Sequence, residues 1–258
     1  MPLLPLLLAA AAPPPVLTSV GPWVVNVSEN MCLLQRSFPV GEKKVMLVFQ
    51  PLLDLDSMEL YVITDDTSQR QYQGNYTARI GREGQEITGR YYSVWAAASR
   101  SRITRLTTDR TVLEHLQDGD TLAIEARPVN LSFRIVRPAN ARTALQSCIV
   151  DLKRSWGIDP DVASRTATQL EGNPAQYFGP DSYPREALRQ GIYGRVIALL
   201  NTTPAGTVER CHIVSSAGPA LNDGTCKAAM RIRFRPARDA DGKPLPSTYL
   251  LPVRWILP

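Results

Sequence analysis

Few side chains in this 258-residue chain could do covalent or ligand chemistry, and cysteine is the most informative of them. Cys32, Cys148, Cys211 and Cys226 form an even set with no CxxC spacing, so neither a thioredoxin-like site nor a zinc ribbon has support. Paired cysteines imply an oxidising compartment. Four cysteines allow three pairings. Two fall within residues 1–176 and two within residues 177–258, which favours Cys32–Cys148 and Cys211–Cys226. His115 and His212 have no His, Cys or carboxylate at ligand spacing, so no metal or cofactor is expected. Ser215 and Ser216 lie outside a GxSxG elbow and lack a His–Asp arrangement, which makes them cap and turn groups rather than nucleophiles. Asp54, Asp56, Asp65 and Asp66 lack the Gly and closing Glu of an EF-hand loop and read as loop carboxylates. With no nucleophile, base pair or metal set, the chain is not expected to be an enzyme. An unrecognised cleft within residues 23–137 is where that expectation would fail.

Charge is unevenly distributed along the chain. Lys+Arg is 29 and Asp+Glu is 24, a net charge of +5. Residues 177–258 hold 11 basic and 6 acidic residues, while residues 1–176 are balanced. The cluster Arg231, Arg233, Arg235 and Arg238, with Lys227 nearby, suits an anionic envelope surface or an acidic partner. Alternation with Ile232 and Phe234 also fits a solvated charged face. Arg100, Arg102, Arg105 and Arg110 lie in the neutral part, so no nucleic-acid site is expected. Hydrophobic content of 44% and charged content of 21% exclude a disordered chain, a collagen and a polytopic membrane protein.

The elements that must position these groups fall into two parts. Residues 1–12 form a short apolar leader, too short to span a bilayer and of a length suited to a signal peptide. Residues 23–157 read as a β-rich domain. Separate strands are legible at Trp23–Val27, Cys32–Phe38, Val45–Phe49, Met58–Ile63, Thr121–Ala126 and Leu131–Val136, as a meander or sandwich. A short helix is expected over Asp109–Leu116, capped by Asp109. Pro138 opens the clearest helix, with Ala141, Ala144, Leu145, Cys148, Ile149, Leu152 and Trp156 on one face. Residues 158–180, rich in Pro and Gly, read as a linker. Residues 181–258 read as an α+β domain. Its helix Arg185–Gln190 has Pro184 at the first position, and a strand, Tyr193–Asn201, is apolar on both faces. A turn at Pro204-Ala205-Gly206 and a strand Thr207–Val214 follow, then a helix capped by Asn222 and closed by Phe234-Arg235-Pro236, and a last strand Tyr249–Ile256.

Several motifs recur in order in this last part: Tyr183-Pro184, Gly194-Arg195-Val196, Gly206-Thr207-Val208, Ser215-Ser216-x-Gly218, Leu221-Asn222, Phe234-Arg235-Pro236-Ala237 and Leu251-Pro252-Val253-Arg254-Trp255. Together they resemble the C-terminal domain of the TonB family over about residues 181–257. The resemblance implies a three-stranded antiparallel sheet with two helices on one face, in a Gram-negative periplasm. It also implies an outer-membrane TonB-dependent transporter, or another envelope protein, as partner, bound by adding an extended segment to the sheet edge. By that resemblance the partner-binding residues are Tyr183, Thr248, Tyr249, Leu250, Leu251, Val253 and Trp255. A membrane-anchored transducer accessory, attached to the inner membrane and acting in transport, is the alternative. Against it stand the short leader, the short linker and Ser182 in place of the Gln that often precedes Tyr-Pro in transducers.

Overall fold

The computed structural model describes residues 14–28, 30–52, 57–81, 84–158 and 169–257. The leader, Asp54, Asp56 and residues 159–168 of the linker lie outside the described residues. Half of the structure is strand and about a fifth is helix, so it is mostly β. No helix among the described residues is long and apolar enough to cross a membrane. The described residues group into two compact units, one within 1–26, 33–52 and 56–145, the other within 27–32 and 146–258.

Ten strands form the first sheet: β1 (Val16–Leu17), β2 (Val24–Ser28), β3 (Met31–Val40), β4 (Lys43–Pro51), β5 (Ser57–Thr64), β6 (Tyr72–Ile80), β7 (Gln85–Ala96), β8 (Ser101–Asp109), β9 (Thr121–Ala126) and β10 (Val129–Arg134). Their order is β1-β10-β9-β6-β7-β8-β5-β4-β3-β2. From β10 through β3 all neighbours are antiparallel, and β1 joins β10 in parallel. β10 and β3 are seven strand steps apart, which in a flat sheet would separate them by about 34 Å. Yet the rings of Phe38 on β3 and Phe133 on β10 meet edge to face at 4.9 Å. The sheet therefore curls over and packs against itself, with both rings fully buried.

Strands β6, β7 and β8 are not singled out by the sequence pattern, and glycine is one reason. Gly74 pairs with Tyr91 and Gly89 with Tyr76 across β6 and β7. A Cβ on Gly89 would lie 2.7 Å from Tyr76 Cε1, so the ring lies over a bare backbone. Tyr76 then donates its hydroxyl to Thr107 O at 3.0 Å. Residues that normally punctuate strands here make room for aromatic neighbours within them.

A short helix α1 (Thr111–His115) follows β8. Asp109 is not its N-cap; that position is Arg110, without a side-chain bond. Asp109 instead accepts the Thr111 N–H at 2.8 Å, one residue early. The long helix α2 (Pro138–Ser155) matches its expected span. Ala141, Leu145, Cys148, Ile149 and Leu152 are buried, while Ala144 is exposed. Arg142 on the same helix donates to Leu113 O and Leu116 O, satisfying carbonyls at the end of α1. A disulfide joins Cys32 at the start of β3 to Cys148.

Arg102, one of the four arginines of the neutral part, does not lie on the surface. It is fully buried, with Nε donating to Asp66 at 2.5 Å, Nη1 donating to Ser93 at 3.2 Å, and Nη2 donating to Ser68 O. The Tyr72 ring lies 5.0 Å from its guanidinium carbon.

From residue 169 onward come β11 (Gln169–Leu170), two 3-10 turns, α3 (Arg185–Arg189), β12 (Gly194–Thr202), β13 (Val208–Ser215), α4 (Pro219–Ala229), β14 (Phe234–Arg235), β15 (Ala237–Arg238), β16 (Pro244–Leu245) and β17 (Ser247–Trp255). The linker thus contributes a strand, since Leu170 pairs with Phe234. Pro184 sits at the N-cap of α3 rather than inside it. Asn222 is not the cap of α4: the helix starts one turn earlier, after Gly218 and with Pro219 in its first turn. Asn222 instead donates to Ser216 Oγ at 2.8 Å, and that hydroxyl also accepts the Gly218 N–H. Phe234-Arg235 does not close the helix but forms β14. Gly206 closes the β12–β13 turn at φ 76°, where an added Cβ would lie 1.9 Å from Phe234 O.

Candidate functional site: the open edge of the C-terminal sheet

The three-stranded sheet has the order β13-β12-β17, which leaves β17 at an edge. Alternation along β12 sends its side chains to two faces. Val196, Ala198 and Leu200 enter a core with Ala187 of α3, Leu221 and Ala229 of α4, and Leu251, Val253 and Trp255 of β17. Ile197 and Leu199 go to the other face, where Val214, Leu250, Trp156 and Ile158 pack with them. Both faces are therefore apolar and covered, one by helices and one by the residues that follow α2. Cys211 and Cys226 bridge β13 to α4 on the helix side.

Pro252 fixes the orientation of the β17 main chain. It pairs with Ile197, and without an N–H it cannot sit at a hydrogen-bonded position of the ladder. Its backbone is turned to the open edge. Because strand groups alternate with period two, Thr248, Leu250 and Arg254 also turn their N–H and C=O outward. Tyr249, Leu251, Val253 and Trp255 bond to β12. The edge thus offers donors at 248, 250 and 254, with a gap at Pro252. Such a gap blunts uncontrolled edge-to-edge pairing.

The expected site residues divide along the same lines. Leu251 and Val253 are buried, and their side chains hold the core together. Trp255 is 4% exposed and donates Nε1–H to Thr225 Oγ1 at 2.9 Å. Thr225 passes that bond on by donating to Leu221 O at 2.8 Å. Tyr183 stacks edge to face on Trp255 at 5.3 Å and donates its hydroxyl to Ile192 O at 2.7 Å. Burial raises the pKa of the Tyr183 and Tyr249 hydroxyls. Tyr249 is half-buried against Phe234, with ring centroids 5.1 Å apart. Of the expected set, Thr248 and Leu250 present main-chain groups to the edge. Arg254 and Pro252 belong with them and were missed, although the proline itself carries the parity signal in the sequence. Beside Thr248 lies a hollow of about 340 Å³, lined by Gly157, Asn201, Glu209, Arg210, Ser247 and Thr248.

The basic residues do not converge on the edge. Lys227 and Arg231 line a groove of about 640 Å³ between α3 and α4 together with Glu186 and Asp223, so its charge is mixed. Arg231 lies 5.8 Å from the Tyr177 ring and Arg238 donates to Gly242 O. Arg233 and Arg235 are exposed. His115 and His212 are exposed too, and no group of three or more His, Cys, Asp or Glu that could hold a metal occurs among the described residues.

The result is a small three-stranded sheet with both faces covered and with β13 and β17 as its edge strands. Residues 180–257 match the family model of the Gram-negative bacterial TonB protein C-terminal, and this segment is a TonB C-terminal domain. No curated protein and no solved structure matches the chain. The domain's family is non-enzymatic in general, and its members generally interact with outer-membrane transporters.

Proposed function

We propose that this is a periplasmic, non-enzymatic binding protein whose TonB-like domain takes an extended segment of an outer-membrane transporter, or of another envelope protein, onto β17. The carrying observation is the edge position of β17 beside β12, with the sheet's two faces already occupied. Recognition then rests on main-chain hydrogen bonds from Thr248, Leu250 and Arg254, and selectivity on the hollow beside Thr248. Two disulfides fit an oxidising compartment. Residues 23–157 act in this reading as a separate β-rich domain carried with the binding module.

The test is a titration of the full chain with a synthetic peptide spanning the TonB box of a transporter from the same cell, followed by amide NMR. Shifts and new exchange protection at Thr248, Leu250 and Arg254 are expected. Changes confined to the α3–α4 groove, or no changes at millimolar peptide, would remove the edge-addition reading.

A further inference from the structure

Arg36 on β3 is a buried charge whose surroundings do not neutralise it. It is 8% exposed. Its Nη1 donates to Val136 O at 2.6 Å and its Nη2 to Gly21 O at 2.8 Å. Its Nε is buried without a hydrogen-bond partner. A guanidinium carries five N–H donors, and here its hydrogen bonds go to neutral carbonyls. Among the described residues no carboxylate pairs with it. The Trp23 ring lies 5.2 Å from its central carbon, and the Trp23 Nε1–H shares the Val136 carbonyl at 2.9 Å. A buried cation with no anion is costly, and a site that keeps one is poised to accept an anion.

A cavity of about 410 Å³ opens at this point. Its polar lining includes Arg36, Arg137 and Asn140, and its apolar walls include Trp23, Ala141 and Ala144. Arg137 adds a second like charge, which with burial lowers the pKa of Arg36. Arg137 is held at φ 54°, a left-handed conformation uncommon for a residue with a Cβ. It immediately precedes α2, whose first turn contains no acidic residue. Asn140, Ala141 and Ala144 from its first two turns line the cavity, so the positive end of that helix borders the same space. Asp118 accepts the main-chain N–H of Arg137 at 2.7 Å and is not among the lining residues. The volume is within the range of small-molecule sites and exceeds the needs of a bare inorganic ion.

We propose that this cavity binds an amphiphilic anion, with its oxyanion head between Arg36 and Arg137 at the start of α2 and its apolar body against Trp23, Ala141 and Ala144. A carboxylate or a phosphate monoester on an alkyl chain supplies that chemistry.

Calorimetric titration of the full chain with octanoate, octyl phosphate and octan-1-ol separates the sources. Saturable binding of at least one anion, about tenfold or more tighter than the alcohol, is expected from charge-assisted hydrogen bonds. Whichever anion binds names the head group. Arg36 clamps Gly21 and Val136, so the variant is made at the exposed Arg137. Arg137→Gln should weaken anion binding about tenfold, leave octan-1-ol unchanged, and raise the melting temperature of the unliganded protein by removing a like charge. Absence of saturable anion binding, equal binding of the alcohol, or unchanged affinity in Arg137→Gln would overturn the proposal.

Discussion

Replacing Thr248 with proline tests the edge directly, because proline removes one N–H and leaves the rest of the backbone in place. The Pro252 parity places that N–H outside the ladder with β12. The intramolecular loss is then small. Asn201 Nδ2 reaches Thr248 Oγ1 at 3.4 Å, at the outer limit of a hydrogen bond, and the side chain is half-exposed. Thr248→Pro should therefore cost under about 1 kcal/mol of stability. Tyr249→Pro is the control one residue away. It deletes a ladder donor opposite Leu200 and the ring against Phe234, for about 3 kcal/mol or more. Binding should respond in the opposite order of sensitivity. An added strand loses a hydrogen bond of about 1 kcal/mol, or about 3 if its own carbonyl is left buried and unpaired. That weakens the Kd by about 5- to 150-fold. Urea unfolding gives the stability arm and peptide titration the binding arm. Native-state amide exchange checks the parity without any partner: Tyr249, Leu251, Val253 and Trp255 should exchange slowly, and Thr248, Leu250 and Arg254 quickly. Equal destabilisation by the two prolines, or uniform protection along β17, would refute the reasoning.

Three further outcomes are expected. Exchanging Cys211 and Cys226 for serine should cost about 3 kcal/mol and exchanging Cys32 and Cys148 about 5, from loops of 15 and 116 residues, read as urea midpoints; a reversed order would refute the loop-entropy account. Trp156→Ala should uncover Ile197, Leu199 and Leu250 and cost about 2 kcal/mol, less than a fully buried tryptophan because Trp156 is partly exposed, with increased binding of a hydrophobic dye. The Asp66 carboxyl is held below its ordinary value by the Ser68 N–H and by Arg102. Its stabilisation is complete above the ordinary carboxylate range and is lost as pH falls through the lowered folded value. Urea midpoints taken from about pH 6 to about pH 3 should fall more steeply in the natural protein than in Asp66→Asn. That variant should itself lose about 2 kcal/mol at neutral pH, since Asp66 is 38% exposed while Arg102 is fully buried.

The C-terminal domain was legible because its signals are local. The unbroken apolar run Val196–Leu200 predicts a strand apolar on both faces, and each face is covered. Gly206 after Pro204 predicts the turn that the backbone makes. Local signals misplace boundaries where a tertiary neighbour takes over. Phe234 reads as a helix end, yet it pairs with Leu170 from the linker, which no window around either residue reveals. Asn222 has the chemistry of a cap but serves Ser216, because Pro219 already starts the helix. The site was half legible. Its strand was found, but the side chains named for contact at Leu251, Val253 and Trp255 are the ones the core consumes.

The sequence by itself determined many of the elements and the family resemblance of the C-terminal part, and Pro252 carries the main-chain parity of β17, since each depends on residue type and spacing. Only the tertiary structure decided how the first sheet curls to bring Phe38 onto Phe133, how Trp156 and Ile158 cover the second face of the C-terminal sheet, and that Arg36 is buried beside Arg137 with no acid paired to it among the described residues. These are contacts between residues far apart in the chain. Burial and charge compensation are properties of the folded neighbourhood, and no pattern of period two or 3.6 encodes them.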